Sequence, residues 1–138
     1  MLDRIDEISS ETNTLYTKDE PTITFLGTSS TKTTLLRGAS AIFVSMEDCA
    51  ILMDCAEGTY GQLFDHLGTK EKVDEALLKT RVIFISHFHA DHHLGLLKII
   101  NAREHLPGAE KLYLVLPEPI MTWMKFHCQS DLVEMISS

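Results

Sequence analysis

The stretch that most restricts what this chain can fold into is an apolar run, Val82-Ile83-Phe84-Ile85, followed by His87-Phe88-His89-Ala90-Asp91-His92-His93 and then by Leu94-Gly95-Leu96-Leu97-Lys98-Ile99-Ile100. The first segment reads as a buried strand and the last has the apolar recurrence of a helix. Between them lies a turn dense in metal-ligating side chains. If the backbone stays extended through Phe88, His87 and His89 fall on one face, because strand side chains repeat every second residue. The chain must then turn, which sends Asp91 and His92 elsewhere, to a second ion beside the first. Imidazole and carboxylate together suit zinc or a similar borderline ion. Two such ions roughly 3.5–4 Å apart can hold a hydroxide and clamp the attacking and leaving oxygens of a displacement. A lone histidine would read as a solvated or core residue, but HxHxDH at a strand-to-helix junction reads as a metal site. His87, His89, Asp91 and His92 are therefore the expected ligands. His93, at the helix start, is expected to support the site or touch a neighbouring loop.

His87-x-His89-x-Asp91-His92 is similar to the signature of the metallo-β-lactamase superfamily. The fuller string HFHADHHLGL resembles the tRNA 3′-end endonucleases, the ribonuclease Z family. Phe25-Leu26-Gly27-Thr28 and Leu52-Met53-Asp54-Cys55-Ala56-Glu57-Gly58-Thr59 resemble that family's FLGTGS and LLDCGEGT segments in the same order. The resemblance runs from about Ile23 to the last helix and is closest to the carboxyl-terminal, catalytic half of the long forms. It implies an αββα sandwich of two sheets, of which this α/β chain carries the first half: one mixed sheet with helices on one face. It further implies a zinc-dependent endoribonuclease that removes 3′ trailers from precursor tRNA, in the nucleus, the mitochondrion or the cytoplasm. In that scheme His87 and His89 bind one zinc, Asp91 and His92 the other, and Asp91 also orients or deprotonates the nucleophile. Asp54, a carboxylate at a strand's end, accepts the free N–H of a ligating imidazole. Ala56 replaces the glycine that commonly follows Asp-Cys, so the turn there must avoid a left-handed backbone or carry strain. Residues 27–38 form a loop where relatives have a Pro-x-Lys-x-Arg-Asn stretch. Only Arg37 of it is clearly kept, read as a phosphate contact or as a solvated surface residue, while Leu35 and Thr33 stand at the Lys and Pro positions.

The formal net charge of −8 over 138 residues sits awkwardly with an RNA substrate. Phosphate recognition normally leaves a basic footprint, and no Lys/Arg cluster is visible. The grip on precursor tRNA is therefore expected to lie largely outside this chain. No apolar stretch approaches the ~20 residues of a membrane span, and the acidic start resembles neither a signal nor a transit peptide. Cys49, Cys55 and Cys128 are odd in number and form no CxxC pair, which favours a reducing, intracellular setting. Cys55 reads as a small core residue.

In order along the chain, residues 1–20 read as a flexible lead-in and 21–138 as the domain. Strands are expected at Thr22–Leu26, Ala39–Val44, Ala50–Met53, around Val82–Ile85 and at Leu112–Leu116. Helices are expected at Tyr60–Leu67, stopped by Gly68; after a Thr69 cap; from about His92 to Arg103; and after Pro117. There Ile120, Met121, Trp123, Met124 and Phe126 read as core or interface. The end, 131–138, is expected to be helical. A two-metal site needs roughly seven protein ligands, more than this motif holds. His66, His105 and His127 read as surface or helix-end histidines. One sheet with helices on a single face leaves its other face bare, so the chain is expected to be unstable alone, to form a homodimer, or to need a missing second half. Two other readings stay open: another hydrolase of this fold acting on a phosphodiester, thioester or lactone, and a non-catalytic metal-binding or interaction half-domain.

Overall fold

The computed structural model describes residues 20–29 and 38–138; the expected lead-in and Arg37 fall outside them. The strands are β1 (Thr22–Gly27), β2 (Ala41–Ser45), β3 (Ala50–Met53), β4 (Thr80–Phe84), β5 (Leu112–Leu116) and β6 (Val133–Ser137). They form one six-stranded sheet in sequence order. β1, β2 and β3 pair antiparallel, and β3 through β6 pair parallel, so the sheet is mixed. The parallel steps are bridged by α1 (Thr59–Leu67), α2 (Lys70–Lys79), α3 (Leu96–Glu104) and α4 (Glu118–His127), as parallel strands require crossovers.

Register makes the two faces of the sheet chemically distinct. Phe43 is in register with Leu52, Leu52 with Ile83, and Ile83 with Leu114. All four are buried, under Leu63, Val73, Leu77, Leu96, Ile99, Ile120 and Met124 of the helices. The alternate residues form the opposite face: Ile23 and Phe25, Ile42 and Val44, Ile51 and Met53, Val82 and Phe84, Tyr113 and Val115, then Glu134 and Ile136. Eleven of these twelve are apolar or aromatic, yet none is buried, and Ile23 and Phe25 are 64% and 65% exposed. The expected mixed sheet with helices on one face is thus what forms.

Local chemistry sets the helix ends. Thr69 caps α2 by accepting the Lys72 N–H at 3.4 Å. Gly68 closes α1 in the left-handed region (φ 80°), donating its N–H to Phe64 O at 2.8 Å. Arg103, buried on α3, donates Nε–H to Leu77 O and ties α3 to α2.

Three expectations are corrected. The chain end is not helical: β6 lies parallel to β5, with Leu112 N–H bonded to Leu132 O and Ser138 N–H to Leu116 O. The Val133/Met135 and Glu134/Ile136 alternation pairs with an edge that would otherwise be open, so tertiary pairing overrides the local pattern. The metal-turn helix starts at Leu96 and not near His92, because Ala90–His92 forms a 3-10 turn first. Phe126 is 76% exposed and is not core, whereas Ile120, Met121 and Met124 are buried.

Candidate metal centre

The motif sits where β3 and β4 end side by side. Ile85 N–H still bonds to Val115 O at 3.0 Å. The next amide, Ser86 N–H, goes instead to Asp54 Oδ1 at 2.8 Å. Capture of that amide by a side chain ends the ladder, so the backbone does not remain in the sheet through Phe88.

Asp54 is the hub. Its φ of 57° makes it the one non-glycine residue with a left-handed backbone among the described residues. Asp is among the few side chains that tolerate this region, and such strain collects where function requires it. The turn thus places its left-handed residue at Asp54, leaving Ala56 free of that strain. Asp54 N–H donates to Phe84 O at 2.8 Å, joining the ends of the two strands. Its Oδ2 accepts from Ser86 Oγ at 3.0 Å, from Ser40 Oγ at 3.2 Å and from His92 Nδ1 at 2.7 Å. Burial by itself would raise the Asp54 pKa. The Ser86 amide, His92 and the Ser86 hydroxyl outweigh it and hold the carboxyl below its usual range.

An ionised Asp54 accepts and cannot donate, so His92 directs a proton on Nδ1 toward it, and Nε2 is the acceptor nitrogen of the neutral ring. That Nε2 lies 3.6 Å from Asp91 Oδ2. A second imidazole is oriented through the same carboxylate. Ser86 Oγ donates to Asp54 and accepts from His87 Nδ1 at 3.0 Å, so in the neutral His87 ring Nε2 is likewise the acceptor nitrogen. The ring centroids of His87 and His89 are 4.7 Å apart, and those of His87 and His92 are 3.9 Å apart. The imidazoles therefore converge on shared space, and Asp91 stands at its edge. This donor set fits zinc, which takes neutral imidazole nitrogen and carboxylate oxygen. Among the described residues, however, no group of three or more His, Cys, Asp or Glu side chains is arranged as a ready-made cage for one ion.

Two loops are stitched together beneath the rings. Cys55 N–H donates to His92 O at 2.8 Å, and Gly95 N–H donates to Cys55 O at 2.9 Å. A Cβ on Gly95 would lie 2.1 Å from Ala56 O, so only glycine permits this approach. His93 turns away from the cluster toward α4, its ring 5.8 Å from that of Trp123. Burial pushes its pKa down, and its Nδ1 is buried with no hydrogen-bond partner among the described residues. Cys55 is fully buried, and burial pushes its thiol up to about 12. His66, His105 and His127 lie against Thr24, Asn101 O and Trp123 respectively, apart from the convergent rings. Ser86 and Ser40 were not singled out from the sequence. The available signal was positional, a hydroxyl side chain directly before His87.

The geometry is that of the metallo-β-lactamase fold, and comparison with solved structures agrees. The metallo-β-lactamase fold protein YhfI from Bacillus subtilis superposes with a TM-score of 0.69 at 17% identity, over 87% of this chain and 46% of that one. A long-form RNase Z from yeast gives a TM-score of 0.74 at 24% identity, over 87% of this chain and 18% of that one. Within this class the chain belongs to the family described as Anti-Pycsar protein Apyc1, whose model matches residues 21–132. The resemblance to ribonuclease Z read from the motifs holds in direct comparison. The chain is 39% identical to zinc phosphodiesterase ELAC protein 2 of Mus musculus over 121 residues, covering 81% of this chain and 14% of that protein. It is 40% identical over 109 residues to the mitochondrial ribonuclease Z of Drosophila melanogaster, covering 78% and 14%. The chain thus spans about a seventh of these curated relatives. Among the described residues, no helix is long and apolar enough to cross a membrane.

Proposed function

We propose that this chain is the metal-binding, amino-terminal half of a zinc-dependent endoribonuclease domain that removes 3′ trailers from precursor tRNA. The observation that carries the reading is the single network in which Asp54, directly and through Ser86, sets the tautomers of His92 and His87. Carboxylates placed behind ligating imidazoles in this way raise ligand basicity and fix ring direction. His87, His89, Asp91 and His92 are the proposed ligands, and two zinc ions are expected when the remaining ligands come from outside the described residues. Bound zinc would supply Lewis acidity and a nucleophile available at neutral pH. The residues here contribute orientation: Asp54 keeps His92 pointed outward, Ser86 does the same for His87, and Asp91 offers a carboxylate to position the attacking water. His93 packs the turn against α4, and Arg37 is a candidate phosphate contact. Two relatives are named as mitochondrial, which supports a mitochondrial setting.

Two further readings each have one observation behind them. The net charge of −8 favours a small phosphodiester, thioester or lactone over RNA. The lack of a three-donor cage among the described residues favours a non-catalytic half-domain. Zinc analysis of the purified chain, with assays on precursor tRNA and on a chromogenic phosphodiester, separates them. The expected result for the 138-residue chain is substoichiometric zinc without turnover, and trailer removal once the sequence that follows in its ribonuclease Z relatives is joined to it. Small-ester cleavage without tRNA cleavage in the joined protein would overturn the reading.

A further inference from the structure

On the helical side, away from the converging imidazoles, α3 and the carboxyl end of α4 enclose a groove of about 520 Å³. Leu97 and Ile100 give it an apolar floor, Asn101 and Gln129 bring carboxamides, and Glu104 brings a carboxylate. His127 lines it too, and its ring is braced by that of Trp123, 4.9 Å away at 45°. Trp123 in turn meets His93, so a line of rings runs from the metal turn to the groove.

Each of these features has a use toward one ligand class. The volume lies within the range of small-molecule sites. An exposed imidazole held at its side by a second ring can take a flat heterocycle, and histidine is among the side chains on which bases stack. Asn and Gln carboxamides pair with the donor and acceptor edge of a base. A carboxylate accepts hydrogen bonds from ribose hydroxyls, the contact that distinguishes ribose from deoxyribose. We infer that the groove between α3 and the end of α4 binds a ribonucleoside, with the base against His127 and the ribose hydroxyls on Glu104. The assignment rests on the nucleic-acid reading of the metal centre for its context, but not on catalysis. The nucleoside arrives either as a free nucleotide or as one residue of an RNA strand.

Trp123 is the only tryptophan in the chain, and its ring lies 4.9 Å from that of His127, so its emission reports on the groove. Titration of the 138-residue chain with AMP should quench that emission saturably, whereas inorganic phosphate should not. 2′-Deoxy-AMP should bind about 10–100-fold more weakly, the loss expected for one hydrogen bond to a carboxylate. Glu104→Gln should narrow that gap, and Asn101→Ala or Gln129→Ala, both at exposed positions, should weaken AMP by about 5–10-fold. A short oligoadenylate that binds much more tightly than AMP identifies the RNA strand as the source, and equal binding identifies the free nucleotide. The variant His87→Ala/His89→Ala should quench normally. If quenching is absent, ignores the ribose in every variant, or vanishes only with the metal-turn variant, the inference fails. If AMP binding follows the groove while the joined protein leaves precursor tRNA intact, the groove stands and the tRNA reading falls.

Discussion

At the residue scale, Asp54 carries more connections than any ligand it supports. Asn tolerates a left-handed backbone nearly as well as Asp, so Asp54→Asn isolates the loss of charge from the loss of the turn. We expect zinc affinity to fall about 10–100-fold, read by chelator competition, with the far-ultraviolet circular dichroism unchanged; unchanged affinity would remove Asp54 from the site. Gly95→Ala acts differently, by wedging a methyl group against Ala56 O. It should lower stability by about 1–3 kcal/mol in urea melts. Cys55 gives a pH signature. Its thiol is raised from an ordinary value of 9.0 to about 12, so between those values the folded chain holds a proton that the unfolded chain has released. Stability is then fully present below pH 9 and falls as pH rises toward 12. Cys55→Ala should flatten that alkaline limb in urea melts taken across pH 8–11, and an unchanged slope would refute the cause.

At the scale of elements, ends and edges decide the outcome. α1 stops because Gly68 takes φ 80°, and Gly68→Ala should cost about 1 kcal/mol, measured as a shift in urea midpoint at constant slope. β6 matters because it covers the edge of β5. Without that pairing the N–H and C=O groups of β5 would face solvent along Leu112–Leu116, a template for unwanted strand addition.

At the scale of the molecule, the sheet face that no described helix covers is the dominant fact. Five inter-strand gaps of about 4.8 Å and five residues at about 3.3 Å give a patch of roughly 24 by 16 Å in projection. That lies within the range of the largest apolar patches on soluble monomers, which often mark an interface. The isolated chain should bind an apolar dye and self-associate in sedimentation at micromolar concentration. Val44→Lys with Val82→Glu should reduce both, and because neither site is buried the urea midpoint should stay nearly where it was. A monomeric, dye-silent parent chain would show that the face is covered in some other way.

Much of this was legible before any coordinates. The 2-residue period of the strands, Gly68, the Thr69 cap and the Pro117 entry to α4 are local signals, and they mark elements where the structure has them. The HxHxDH spacing likewise places His87, His89 and His92 near one another, because a strand end followed by a tight turn leaves those side chains little room to diverge. What local pattern could not reveal was which groups stand behind the rings. Ser40, Asp54 and Ser86 are far apart in sequence from some of their partners, and only the side-by-side ends of β3 and β4 unite them. β6 was misread for the same reason: a short amphipathic segment fits helix or strand, and a neighbouring edge makes the choice. Residue type and spacing alone determined the chemistry this chain can offer. Long-range backbone pairing decided which groups stand behind the imidazoles, which rings meet, and which face of the sheet no described helix covers.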